Sequence, residues 1–283
     1  MEGSIIMSTL MFSKNTEYKH KLTMKSGNIT CSQGNEKLPE DSYIARLIFS
    51  LPAKVTCLWS TAHCRKACYA AQGVYLMKTV RECQNRNYQS TLDPNWVSDM
   101  IDIITRKIQK LTPIQTLEYR IHESGDFYSF QYFVDWIYIA DFFKDFGDKV
   151  NFSAYTKALP FIDRYCQENN CSVEELPIHF ISSIWDDTTE EMVELTKKLG
   201  LGTYSAGLTW AESDFTCHDG LKCNECLKCY RGKQHITVEI TDGKSKAKKR
   251  LENLAKAGKS AETFETACIE SMYTDEYIES LEK

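Results

Sequence analysis

The sequence predicts an α/β protein organised as a partial or complete β/α barrel of the TIM type. Three observations carry that expectation. Strand-like and helix-like segments alternate through the middle of the chain. Three successive strand segments put polar residues on one face. Seven of the twelve cysteines fall in two short windows, the first directly behind a strand. The 283 residues, 42% of them hydrophobic, are enough for a substantial core. Read in order, they divide into an N-terminal strand and loop segment (1–45), a β/α barrel with two cysteine clusters (46–240) and C-terminal helices (241–283).

Within 1–45, MSTLMF reads as a strand, and the turn-rich stretch SGNITCSQGNEKLPEDS reads as loop with Cys31 alone in it. RLIFSL (46–51) is a short strand stopped by Pro52. A helical pattern covers about 75–92. A clearer one runs from 94 to 111, with Asp93 as N-cap, Pro94 first, and Trp96, Val97, Met100, Ile101, Ile104 and Ile108 on one face. Strand 117–122 then precedes helix 130–143, strand 149–157 precedes helix 159–169, and strand 177–185 precedes helix 188–200. Gly200 ends that last helix, and 201–207 supplies another strand. Repeated β-α units of this kind imply a parallel sheet with right-handed crossovers.

The strands favour a barrel over a doubly wound sheet. Glu118, Arg120 and His122 alternate on one face of LEYRIH; Asn151, Ser153, Tyr155 and Lys157 do so in KVNFSAYTK, and His179 and Ser183 in PIHFISSIW. A sheet covered by helices on both sides wants apolar residues on both faces, so a polar face implies a wet lumen. In such scaffolds chemistry lies at the C-terminal strand ends. That puts His122, Glu123, Asp126, Arg120, Tyr155 and Lys157 forward as catalytic, and Ser124, Gly125 and Ser183 as cofactor-binding. HESGD (122–126) differs from the HExxH zinc helix, because Asp126 replaces the second histidine and Gly125 opposes a helix. Structurally it reads as a tight turn, with Asp126 capping the following helix.

Cys57, Cys64 and Cys68 make up the first cysteine window; Cys217, Cys223, Cys226 and Cys229 make up the second. The N-terminus MEGSIIMSTLMF lacks a basic segment and an A-x-A-like site, and no apolar run approaches the ~18 residues of a membrane span. A cytoplasmic location is therefore expected, and there crowded cysteines read as metal ligands rather than disulfides. The tight run Cys223-x2-Cys226-x2-Cys229, with Cys217 close by, suits a [4Fe-4S] cluster. Three thiolates in the first window suit a cluster with one open iron. Zinc, aided by His63 or His218, is the alternative metal. Cys83, Cys166, Cys171 and Cys268 are scattered and read as structural. The formal charge of −5 gives nucleic-acid binding no support, and the basic run 244–250 reads as the solvated face of a helix. Residues 259–282 read as an acidic helix.

LPAKVTC, CRKACYAAQGVY, RIHESGDFYS, AYTK and the distal C-x2-C-x2-C followed by Tyr230 resemble the phage gene product 88 family. That resemblance implies that the pattern is one unit over about 27–232 in a phage-type protein, with no reaction attached. More loosely, a cysteine triad behind the first strand of a β/α barrel is similar to radical S-adenosylmethionine enzymes with an auxiliary cluster, which would imply S-adenosylmethionine as a second cofactor. Those enzymes space their cysteines C-x3-C-x2-C. Here Ala71 stands where the third would fall, and Cys57 lies upstream instead. The expected function is an iron–sulfur enzyme acting on a polar or anionic small molecule or nucleotide. The alternatives are a zinc-stapled binding or regulatory protein and a zinc-containing barrel that modifies nucleobases.

Overall fold

The structure is a computed structural model; it describes residues 23–34, 40–206, 215–217, 223–226 and 235–238. The expected strand at MSTLMF, the basic run 244–250, the helix at 259–282, and His218, Cys229, Tyr230 and Cys268 lie outside them.

The core of the fold is a row of parallel strands. β1 (Thr23–Ser26) and β2 (Ile29–Ser32) form an antiparallel hairpin at one edge, where the turn residues around Gly27 had suggested only loop. β3 (Ile44–Ile48), β4 (Thr116–Ile121), β5 (Val150–Thr156), β6 (Ile178–Trp185) and β7 (Gly202–Ala206) follow in sequence order, all parallel. β9 (His235–Val238) pairs parallel with β7, and β8 (Phe215–Thr216) pairs parallel with β9 at the far edge. The nine strands run β1-β2-β3-β4-β5-β6-β7-β9-β8, and the described residues leave that sheet open. The α/β class therefore holds, as an arc rather than a closed ring among these residues.

A sheet that steps always in one direction with right-handed crossovers carries its crossover helices on one face. The core bears this out. α3 (Trp96–Ile108), α4 (Phe130–Phe142), α5 (Leu159–Asn169) and α6 (Glu190–Lys198) pack on a face made of Leu47, Tyr119, Phe152 and Phe180. Fully buried Trp136 sits at its centre, with ring centroids 5.5 Å from Tyr119 and 5.8 Å from both Phe49 and Trp96. Burying each such side chain contributes about 2 kcal/mol. Before α3, the Asp93 carboxylate accepts from the Asn95 N–H, so the helix begins two residues beyond Pro94. α2 (Lys78–Ser90) presents Asn87, whose side chain ties Thr30 of β2 to Ser50 behind β3.

The opposite face is the polar one. Register aligns Arg46, Glu118 and Asn151 in one row, and Arg120, Ser153 and His179 in the next. Ser183 lies beside Tyr204 further along. Arg46, Glu118 and Ser153 are buried. The polar alternation predicted for these three strands is thus real, with one exception at His122.

Candidate metal centre

The first cysteine window forms the loop leaving β3, and each thiol is held by its own local structure. Cys57 opens a turn in which the Ser60 N–H and hydroxyl both donate to the Cys57 carbonyl, at 3.1 and 2.7 Å. Arg65 donates to Ser60 and to the Lys54 carbonyl, clamping that turn. Cys64 sits on α1 (Ala62–Lys66), where its N–H donates to the N-cap hydroxyl of Thr61. Cys68 follows that helix and starts the 3-10 turn Tyr69–Ala71. The three thiols lie within electrostatic reach of one another.

Burial pushes the Cys57 thiol up to about 12, and the Asp126 carboxylate and its sister thiols add to the shift. Cys68 is raised for the same leading reason. Thiols this close in poor solvent ionise together only if a cation takes their charge. Tetrahedral zinc, bonded to each sulfur at about 2.3 Å, would draw them to about 3.8 Å. Cubane ligands stand farther apart, because each binds a different iron. Three thiolates can serve as the ligands of an open cluster or as three of the four ligands of a zinc ion.

The segment behind β4 divides unexpectedly. His122 has a φ of 62° and leaves the polar face. It enters the core beside Phe127, with Nε2 on the Tyr132 hydroxyl at 2.8 Å and Nδ1 without a partner. Burial, and then the charge of Arg120, lower its pKa to about 3, so the ring is neutral. The reading of His122 as a polar-face partner of Arg120 is corrected accordingly. Ser124, expected to bind a cofactor, is buried: its hydroxyl donates to Leu51 O at 2.7 Å and accepts from Gln84. Gly125, with φ 84°, brings the turn against Leu51 and Thr56.

Asp126 is a bracket between strand ends. Its carboxylate accepts from Phe127 N–H, from the Thr156 hydroxyl at 2.6 Å and from Lys157 N–H at 2.9 Å. Burial raises its pKa against these bonds. It does not cap α4; the Ser129 hydroxyl does that, accepting from Tyr132 N–H.

The remaining candidates face outward from the strand ends. The Arg120 guanidinium lies 4.5 Å from the Tyr155 ring centroid, and the Tyr155 ring meets Tyr204 edge-on. The Tyr69 hydroxyl donates to the Glu123 carbonyl. That phenol lies within reach of Arg120 and Glu123 on one side and of Cys68 and Cys57 on the other. It joins the polar face to the thiols. Lys157 Nζ donates to Ser183 Oγ at 2.7 Å, in a cavity of about 430 Å³ beside the cysteine loop. A smaller cavity of about 240 Å³, at the opposite ends of β5 and β6, is lined by Asn151, Glu174 and His179 and lies away from the thiols.

The sequence reading had not singled out Tyr69, Trp59 or Asp187. Tyr69 and Trp59 lie inside the first cysteine window, and Asp187 lies just behind β6, so the strand-end rule alone could have found them. Asp187 accepts His63 N–H at 2.8 Å, tying β6 to the cysteine loop. Hydrogen bonds to the Thr61 hydroxyl and His63 N–H outweigh burial and hold its pKa low. His63 Nδ1 meets Asp186 at 2.7 Å, and that hydrogen bond raises the histidine's pKa.

Of the second window, Cys217 follows β8 directly, and Cys223 and Cys226 begin and end the short helix α7 (Cys223–Cys226). Because β8 runs parallel to β9 and β7, Cys217 leaves the same end of the sheet as the first triad. Six strand steps along the sheet separate β8 from β3. The two windows therefore follow different strands of one sheet.

Fold and site together define an α/β protein with a mainly parallel sheet, a polar face and a thiol triad at the carboxyl ends of its strands. Residues 14–232 match the family model of gene product 88, and the chain belongs to that family. No curated protein and no solved structure matches it. The looser similarity to radical S-adenosylmethionine enzymes gains no support from these comparisons. Among the described residues no helix is long and apolar enough to cross a membrane.

Proposed function

We propose that this protein is an iron–sulfur enzyme whose first cluster is held by Cys57, Cys64 and Cys68 at the mouth of a partial β/α barrel, acting on a polar or anionic small molecule. One observation supports this most strongly. Three separately braced thiols come together at a strand end, next to a polar face and a cavity. Such a cluster, when bound, supplies electrons or an open iron as a Lewis acid. The chain's own residues do the rest. Arg120, stacked on Tyr155, presents a fixed positive charge toward substrate. The Tyr69 bond to the Glu123 backbone fixes the turn that carries that carboxylate. Lys157 and Ser183 line the cavity. His122 and Asp126 hold the strand ends in place. Cys217, Cys223, Cys226 and Cys229 are assigned to a second cluster. Nothing among the described residues adds support for S-adenosylmethionine.

The test is purification without oxygen. A brown protein absorbing near about 400 nm, with about four to eight irons per chain, is expected. Cys64→Ser should lose at least the irons of the first cluster and all turnover, with its melting curve kept. A colourless protein carrying zinc would overturn the proposal in favour of a metal-stapled binding protein.

A further inference from the structure

Lys157 is 9% exposed, yet among the described residues its ammonium has one hydrogen-bond partner, the neutral Ser183 hydroxyl, and no ion pair. An ammonium carries three donors, and burying its charge without a counter-ion is costly. Asp126 attracts it through space, but that carboxylate's bonds go to the Lys157 backbone N–H, Thr156 and Phe127. The carboxylate that lines the cavity, Asp187, accepts the His63 N–H on Oδ2, and its Oδ1 makes no hydrogen bond among the described residues. The Ser183 hydroxyl, accepting from Lys157, keeps its own proton to donate. One buried cation and one hydroxyl donor thus sit side by side on the wall of a cavity of about 430 Å³, and the walls opposite include the apolar Trp59, Leu159 and Met192. That volume lies in the range of small-molecule sites, about 300–1,000 Å³.

We infer that this cavity binds an organic anion, its carboxylate or phosphate held by Lys157 Nζ and Ser183 Oγ and its apolar body resting against Trp59 and Met192. The inference deepens the proposed function by naming the substrate class, and it rests on that reading only for what happens after binding. The cavity is bordered by Trp59, Ser60, Thr61 and Ala62 of the loop that carries Cys57 and Cys64.

The test is titration of the full-length protein, as purified, with inorganic phosphate, adenosine monophosphate and benzoate, followed by calorimetry and tryptophan fluorescence. Adenosine monophosphate or benzoate is expected to bind more tightly than phosphate alone, and whichever wins assigns phosphate or carboxylate. Lys157→Met should weaken binding at least about tenfold and Ser183→Ala about threefold, both with cooperative melting. Trp59→Phe should remove the fluorescence change. Should Lys157→Met fail to fold, Ser183→Ala and Lys157→Arg, which keeps the charge, carry the test. Equal affinity in Ser183→Ala and Lys157→Met, or no response to any of the three anions, would overturn the inference. A protein that loads iron but binds no anion would sink this inference alone; one that binds anions but never holds iron would sink only the cluster.

Discussion

The two ends of the parallel sheet each bury a lysine, and they treat it differently. At the amino end, Lys107 of α3 pairs with Glu40 and donates to Gln33 Oε1 at 2.7 Å, and Glu40 also accepts the Arg46 N–H. Burial lowers the Lys107 pKa while Glu40 pulls it back up. At the carboxyl end, the Lys157 ammonium has, among the described residues, one hydrogen-bond partner, the Ser183 hydroxyl, and no ion pair. A folded chain satisfies the charges it buries for stability, so one left to a neutral partner beside a cavity marks the end kept for a ligand. The same division of labour between sheet ends is general in β/α scaffolds.

Removing the satisfied partner gives the largest expected effect. Glu40→Ala leaves Lys107 buried without its counter-charge and should cost about 4 kcal/mol, read as a shift in the denaturant midpoint. Lys157→Met, in the absence of ligand, should cost nothing or stabilise slightly; a matching loss at both sites would erase the contrast. A second, smaller effect probes how tightly the functional end is braced. A Cβ at Gly125 would stand 2.6 Å from both Leu51 Cβ and Thr56 Oγ1, on a backbone of φ 84°. Gly125→Ala should destabilise by about 2 kcal/mol and loosen the cysteine loop, measured as faster amide exchange across 52–57.

The smallest effect per step concerns pH. His122 ionises at about 3 in the folded protein, below its ordinary 6.5. Between those values the unfolded chain binds a proton that the native state refuses. The stabilisation is therefore complete above about pH 6.5 and is lost as pH falls, by up to about 1.4 kcal/mol per unit. His122→Asn, which tolerates the positive φ, should flatten that slope in melts between pH 6.5 and 4. An unchanged slope would place the ring in solvent and return it to the strand-end candidates.

The alternation in LEYRIH and KVNFSAYTK announced the polar face because a strand's side chains have a strict period of two. It failed at His122, since a single left-handed residue breaks that period and nothing local in HESGD announces it. Ser124 and Asp126 read as functional from their chemistry alone. Only the packed turn shows that Leu51 O, Gln84, Thr156 and the Lys157 N–H already occupy them. The hairpin of β1 and β2 was hidden for a related reason. Its turn residues were visible, but two short strands gain their pairing from each other and from β3, not from their own composition.

By itself the sequence determined the order of the central strands and helices, the apolar stripes that cover one side of the sheet, and the location of the first cysteines behind β3. Those are properties of periodicity and spacing, which the chain carries before it folds. Tertiary structure alone decided which polar side chains remain unspent. Whether a hydroxyl, an imidazole or an ammonium is free for chemistry depends on partners brought from distant positions, as Ser183 is brought to Lys157, and one-dimensional order holds no record of that encounter.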